Sequence, residues 1–128
     1  MSDVEELLSY PDEQLAERWD RLERWLRSRF DRETSIESIL FLIGIHSRGM
    51  GYSPKLEKEQ KQDLIMEGSY LALETLGHFE RIGMEADGRW LWEKRVRLPE
   101  LSVEQQEKLL RIGITRYFEQ FVETGEPP

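Results

Sequence analysis

Apolar residues recur at helical spacing along most of the chain, and capping residues mark where the runs begin. Ser2 and Glu5 have the S-x-x-E form of a capping box and open a short helix to about Ser9. Pro11 interrupts it and suits the first position of the next helix, where Asp12 and Glu13 meet the positive end of the dipole. That helix runs to about Phe30, with Leu15, Trp19, Leu22, Leu26 and Phe30 on one stripe. Thr34 and Glu37 form a second box ahead of Ile36–Ile45, where apolar side chains surround the axis and leave only Glu37 and Gly44 on a narrow side. A helix apolar all round is buried all round, so this segment is the expected hub.

Gly49, Gly51, Ser53 and Pro54 mark a loop. A long helix is then predicted from about Glu57 to Ile82. Its apolar arc holds Leu64, Ile65, Met66, Leu71, Leu73, Leu76, Phe79 and Ile82. Asp63, Glu67, Tyr70, Glu74, His78 and Arg81 fill the remaining arc, which should face outward. Gly68 and Gly77 each weaken a helix by roughly 1 kcal/mol relative to Ala, and tight packing against a neighbour would explain them. The helical period fails between residues 83 and 97. Asp87-Gly88 there is a hairpin-type turn, and Trp90 and Trp92 alternate with Leu91, giving a short β-hairpin or extended arm. Ser102 and Gln105 open a last helix from Val103 to about Val122, with Val103, Leu110, Ile114, Tyr117, Phe118 and Phe121 on its buried stripe. The expected fold is therefore all-α: about five helices in a bundle around a buried central helix (36–45), with one short β element at 83–97.

Composition narrows the function classes. A chain of 128 residues is the size of a single domain, here residues 1–128. It holds no cysteine, so disulfides, thiolate metal sites and a cysteine nucleophile are excluded. Two histidines cannot build a three-histidine metal centre, and no metal ligand set or cofactor motif is assigned. No apolar run approaches the ~20 residues of a membrane span, and the acidic start is unlike a signal peptide; a cytoplasmic protein is expected. No phosphate-binding glycine loop or nucleophile elbow occurs, so no catalytic residue is assigned and a non-enzymatic role is favoured.

The formal charge of −8 averages unlike parts. Residues 1–17 carry six acids and no base, whereas residues 18–32 carry six arginines against three acids. Residues 89–97 carry four bases against one acid, and all four tryptophans fall in these two basic stretches. Arg18, Arg21, Trp25, Arg29 and Arg32 share one helical stripe; Trp90 and Trp92 lie in the arm. Arg and Trp are frequent interface hot spots, so these seven residues are the candidate partner surface, for a protein partner or a second copy. Self-paired solvated faces are the bland alternative: Glu17–Arg21, Asp20–Arg24 and Glu23–Arg27 are all acid-then-base pairs at i, i+4. A second candidate is a small-ligand or enzymatic pocket at His46, Arg48 and Tyr52, beside the glycine loop. A third is an RNA- or ribosome-associated role for the basic stretches, which the acidic total disfavours. Glu74 and His78 are spaced as two metal ligands on one helical face, but no second ligand motif accompanies them.

Several strings carry a resemblance. They are Ser35-Ile-Glu-Ser-Ile-Leu-Phe-Leu-Ile-Gly-Ile45, Gly49-Met-Gly51, Lys61-Gln-Asp-Leu64, Leu76-Gly-His-Phe-Glu80, Gly83 through Asp87-Gly88, Leu98-Pro-Glu-Leu101 and Glu104-Gln-Gln-Glu107. Together they resemble a family of small uncharacterised helical proteins common in Bacteroidota, over about two-thirds of the chain (residues 35–117). The resemblance implies a compact bacterial cytosolic protein with a core at 35–123 and an N-terminal helical extension at 1–34. It carries no activity over to this chain. His46 departs from the family pattern, which often has Gln there, and this speaks against a catalytic role for it.

Overall fold

The structure, a computed structural model, describes residues 4–29, 34–48, 56–97 and 99–124, with side chains to residue 120. It is mostly helical: α1 (Val4–Leu8), α2 (Asp12–Arg29), α3 (Ile36–Ser47), α4 (Lys58–Glu74) and α5 (Val103–Thr124). A two-stranded antiparallel hairpin, β1 (Phe79–Met84) and β2 (Trp90–Lys94), separates α4 from α5. Ser2, Phe30, the glycine loop at 49–54 and the side chain of Phe121 lie outside the described residues.

Local chemistry sets the boundaries. Ser102 and Gln105 close the expected box at the start of α5, each backbone N–H donating to the other's side chain at 2.9 and 3.1 Å. At α3 the cap is Ser35 rather than Thr34. The Ser38 N–H donates to Ser35 Oγ at 3.2 Å, while the Thr34 hydroxyl is drawn off to Glu23. The helix α4 stops eight residues short of Ile82. Gly77 takes a left-handed φ of +81°, and its N–H and that of His78 close back on Glu74 and Leu73 carbonyls. Residues 79–84 are then free to pair with β2, in the register Phe79↔Lys94 and Arg81↔Trp92, with an irregularity between Arg81 and Gly83. The hairpin reverses at Gly88, φ +91°, as its Asp-Gly pair indicates.

Helix α3 packs most extensively on α4, and α4 also carries α5. Three glycines make this close approach feasible. A Cβ on Gly44 would sit 2.2 Å from the Leu64 carbonyl oxygen, one on Gly68 2.0 Å from that of Leu40, and one on Gly113 2.5 Å from that of Ala72. Gly68 thus has the packing role expected of it, and Gly77 does not: its added Cβ would meet nothing within 4 Å. Trp19, Leu22 and Leu26 of α2 join Ile39, Leu40, Ile43, Leu71, Ile114 and Phe118 in the main apolar cluster. Val4, Leu7, Leu15, Leu76, Leu109 and Ile112 form a second.

Several expected orientations differ. Ile36 and Leu42 of α3 are only partly buried, while Gly44, placed on the polar side by sequence, is buried against α4. Met66, Ile82 and Val103 are exposed although their stripes were apolar. Glu67 and His78, expected outward, are buried. Glu67 turns inward because Arg48 neutralises it, Nε to Oε2 at 2.8 Å. His78 leaves the helical arc altogether, since it follows the Gly77 turn. Among the described residues, no helix is long and apolar enough to cross a membrane.

Candidate functional site

Two places gather the residues singled out by sequence. The first is the face where α2 meets α5. Arg18 is not available to a partner there: its guanidinium pairs side-on with Glu119 of α5 and donates to the Tyr10 hydroxyl at 3.0 Å. Burial opposes its charge, yet the bonds to Glu119 and Tyr10 outweigh this and raise its pKa. Arg21 and Trp25 continue the same stripe, and with Leu22, Thr115 and Phe118 they line a cavity of ≈ 230 Å³. The Trp25 ring meets the Phe118 ring at 6.0 Å, and the Arg29 guanidinium lies 5.0 Å from its centre. Asp20–Arg24 and Glu23–Arg27 form as spaced, at 2.7 and 3.6 Å. Glu17–Arg21 does not, and Arg21 and Arg29 have no carboxylate partner among the described residues. Arg32 lies outside those residues.

The hairpin tryptophans are placed differently from the α2 stripe. Trp90 donates from Nε1 to Ser47 Oγ at 3.0 Å, and Trp92 stacks on Tyr70 at 5.4 Å. Both rings therefore fasten the hairpin to α3 and α4. Asp63–Arg89, at 2.7 Å, does the same from the turn. Ile82, Met84 and Leu91 of the hairpin are exposed.

The second place is a polar cleft of ≈ 430 Å³ with His46 on one wall. His46 Nδ1 lies 2.6 Å from the Tyr117 hydroxyl of α5. Glu74, from the end of α4, and Arg81, from β1, complete the lining with Ser47 and Gln120. Arg81 Nε donates to Glu74 Oε2 at 2.9 Å, and its guanidinium lies 4.9 Å from the centre of the Trp90 ring. Burial pushes the Tyr117 hydroxyl up to about 12 against the opposing pull of Arg81, so it stays protonated at neutral pH. Desolvation holds His46 below its usual value, and the imidazole is neutral there as well. The sequence grouped His46 with Arg48 and Tyr52; Arg48 instead binds Glu67, and Tyr52 lies outside the described residues.

By sequence Tyr117 belongs to the buried stripe of the last helix, and Glu74 and Arg81 to the outward arc of the long one. No local signal joins them, because their positions depend on where α4 ends and how the hairpin folds back. Glu74 and His78 do not meet as metal ligands, and no cluster of three His, Asp or Glu suited to a metal forms among the described residues. His78 is fully buried, with neither ring nitrogen hydrogen-bonded. No family model, curated protein or solved structure matches the chain.

Proposed function

We propose that the protein is a small non-enzymatic interaction protein, an accessory subunit that docks a partner protein through the α2–α5 face. In this reading the five helices form a bundle about α3, and the setting is the bacterial cytoplasm that the resemblance over 35–117 implies. One observation carries it. A half-buried Trp25 sits over an apolar cavity between Arg21 and Arg29, whose charges find no carboxylate among the described residues. An aromatic anchor beside two cations suits an acidic segment with one apolar side chain, and the uneven charge gives direction to the encounter. Nucleic acid stays disfavoured, since the chain as a whole carries −8.

The test is size and composition of the native complex. Wild type, W25A and R21E/R29E are purified by the same tag from the source cell and compared by light scattering and mass spectrometry. A stoichiometric complex formed by wild type and lost in both variants, with unchanged melting temperature, supports the reading. Self-association lost in the same variants makes the partner a second copy. A monomer throughout, or a complex indifferent to these substitutions, overturns it.

A second reading, small-ligand binding, is favoured by the convergence of His46, Tyr117, Glu74 and Arg81 from four elements on one cleft.

A further inference from the structure

The polar cleft has a charge pattern that selects among ligands. Its lining brings one cation and one carboxylate together, Arg81 and Glu74, in contact at 2.9 Å. Both are reachable from solvent, with side chains 39% and 26% exposed. Glu74 holds Arg81 by Nε alone, and the Trp90 ring supports the guanidinium face. The two terminal nitrogens of Arg81 have no acceptor among the described residues, and they form the fork that a carboxylate binds bidentately. Glu74 Oε1 has no hydrogen-bond partner among the described residues.

A plain anion at Arg81 would face the adjacent Glu74 carboxylate, and a plain cation at Glu74 would face Arg81. A molecule carrying both charges side by side faces neither penalty. In an α-amino acid the ammonium nitrogen and carboxylate carbon are two bonds and about 2.5 Å apart, so its two charges fall to neighbouring groups, and Glu74 and Arg81 are neighbours in contact. We propose that this cleft binds a free α-amino acid, its carboxylate on the Arg81 fork and its ammonium on Glu74. In this placement the side chain of the ligand faces the rest of the lining, Leu71 and Thr75 among it. The volume of ≈ 430 Å³ admits any single amino acid and leaves room for water. The inference rests on the ligand-binding reading of the cleft.

The experiment is calorimetric titration and Trp emission with the proteinogenic amino acids, γ-aminobutyrate, acetate, methylammonium and inorganic phosphate as probes. Trp90 lies under Arg81, so its emission reports occupancy at that residue. At least one α-amino acid is expected to bind at millimolar concentration or better. R81Q and E74Q should each weaken it tenfold or more, and γ-aminobutyrate, with its charges too far apart, should bind no better than acetate. E74Q is isosteric and keeps the hairpin contact through its amide, which guards against a folding artefact. Phosphate or acetate binding at Arg81 with no amino acid preference would overturn the zwitterion while keeping a ligand site. Absence of binding by every probe would overturn both.

Discussion

Substituting Gly68 by Ala sets two opposing effects against each other. On propensity alone the change favours a helix by about 1 kcal/mol. Sterically, the new Cβ lies 2.0 Å from the Leu40 carbonyl oxygen, which belongs to backbone and cannot rotate away. Restoring an ordinary contact of 3.4 Å needs a retreat of about 1.4 Å between α3 and α4. That retreat loosens the packing of Leu40, Ile43, Leu64 and Leu71, all within 3% exposure. Overpacking of this kind costs up to about 3 kcal/mol, so the net loss is about 2 kcal/mol. For a domain of this size it lowers the melting temperature by about 6–10 °C. Gly44→Ala should behave alike, with its Cβ 2.2 Å from the Leu64 oxygen. The double variant should cost less than the sum, because one withdrawal of α3 makes room for both methyl groups. Gly77→Ala is the contrast: nothing crowds it, and only its φ of +81° is strained, at about 1 kcal/mol. Chemical denaturation gives each value. Gly68→Ala as stable as wild type would refute the account of the α3–α4 contact.

Folding stability should fall as pH drops below about 6.5. The buried, unpartnered His78 has its pKa lowered by desolvation, so the unfolded chain takes up the proton first. The slope is about 1.4 kcal/mol per pH unit for each histidine so affected, and H78L should flatten the urea-midpoint profile in that window. In alkali the unfolded chain again titrates first, now by losing the Tyr117 proton. Unfolded tyrosine ionises near 10 and Tyr117 only at about 12, so stability is lost as pH rises between them, and tyrosinate absorbance should show one late-titrating group that Y117F removes. Glu67→Ala leaves Arg48 partly buried without its partner and should cost about 2–3 kcal/mol, while E67M/R48M should recover most of it in thermal melts. Ser102→Ala removes one half of a capping box and should cost about 1 kcal/mol, read by denaturant midpoint.

Helix positions were legible wherever a cap and a period agreed, as at Ser102–Gln105 with Ile114, Tyr117 and Phe118 behind it, although the buried leucine is Leu109 and the expected Leu110 is only partly buried. The α4 boundary was not, because Leu76, Phe79 and Ile82 keep a helical spacing beyond the true end. A single left-handed Gly77 overrides that spacing, and glycine gives the same sequence signal whether it ends a helix or lets two helices touch. Gly68 and Gly77 show the two outcomes nine residues apart. The α2 stripe was legible up to pairing: Arg21, Trp25 and Arg29 share the surface as spaced, whereas the Glu119 that removes Arg18 lies 101 residues away.

The polar cleft shows the limit most clearly, and for one physical cause. Reading residues 75–82 as helix puts Glu74, His78 and Arg81 on a single outward stripe. Ending the helix at Glu74 separates them: His78 goes into the interior, and Arg81 swings round on β1 to meet Glu74 from a second element. The same turn brings Trp90 over Ser47 and leaves the cleft open between α3, α4, β1 and α5. Gly77 therefore controls the candidate site as well as the helix end. A side chain that strained this turn would disturb the Arg81–Glu74 pair without touching either residue, which makes G77A a probe of the cleft as much as of stability.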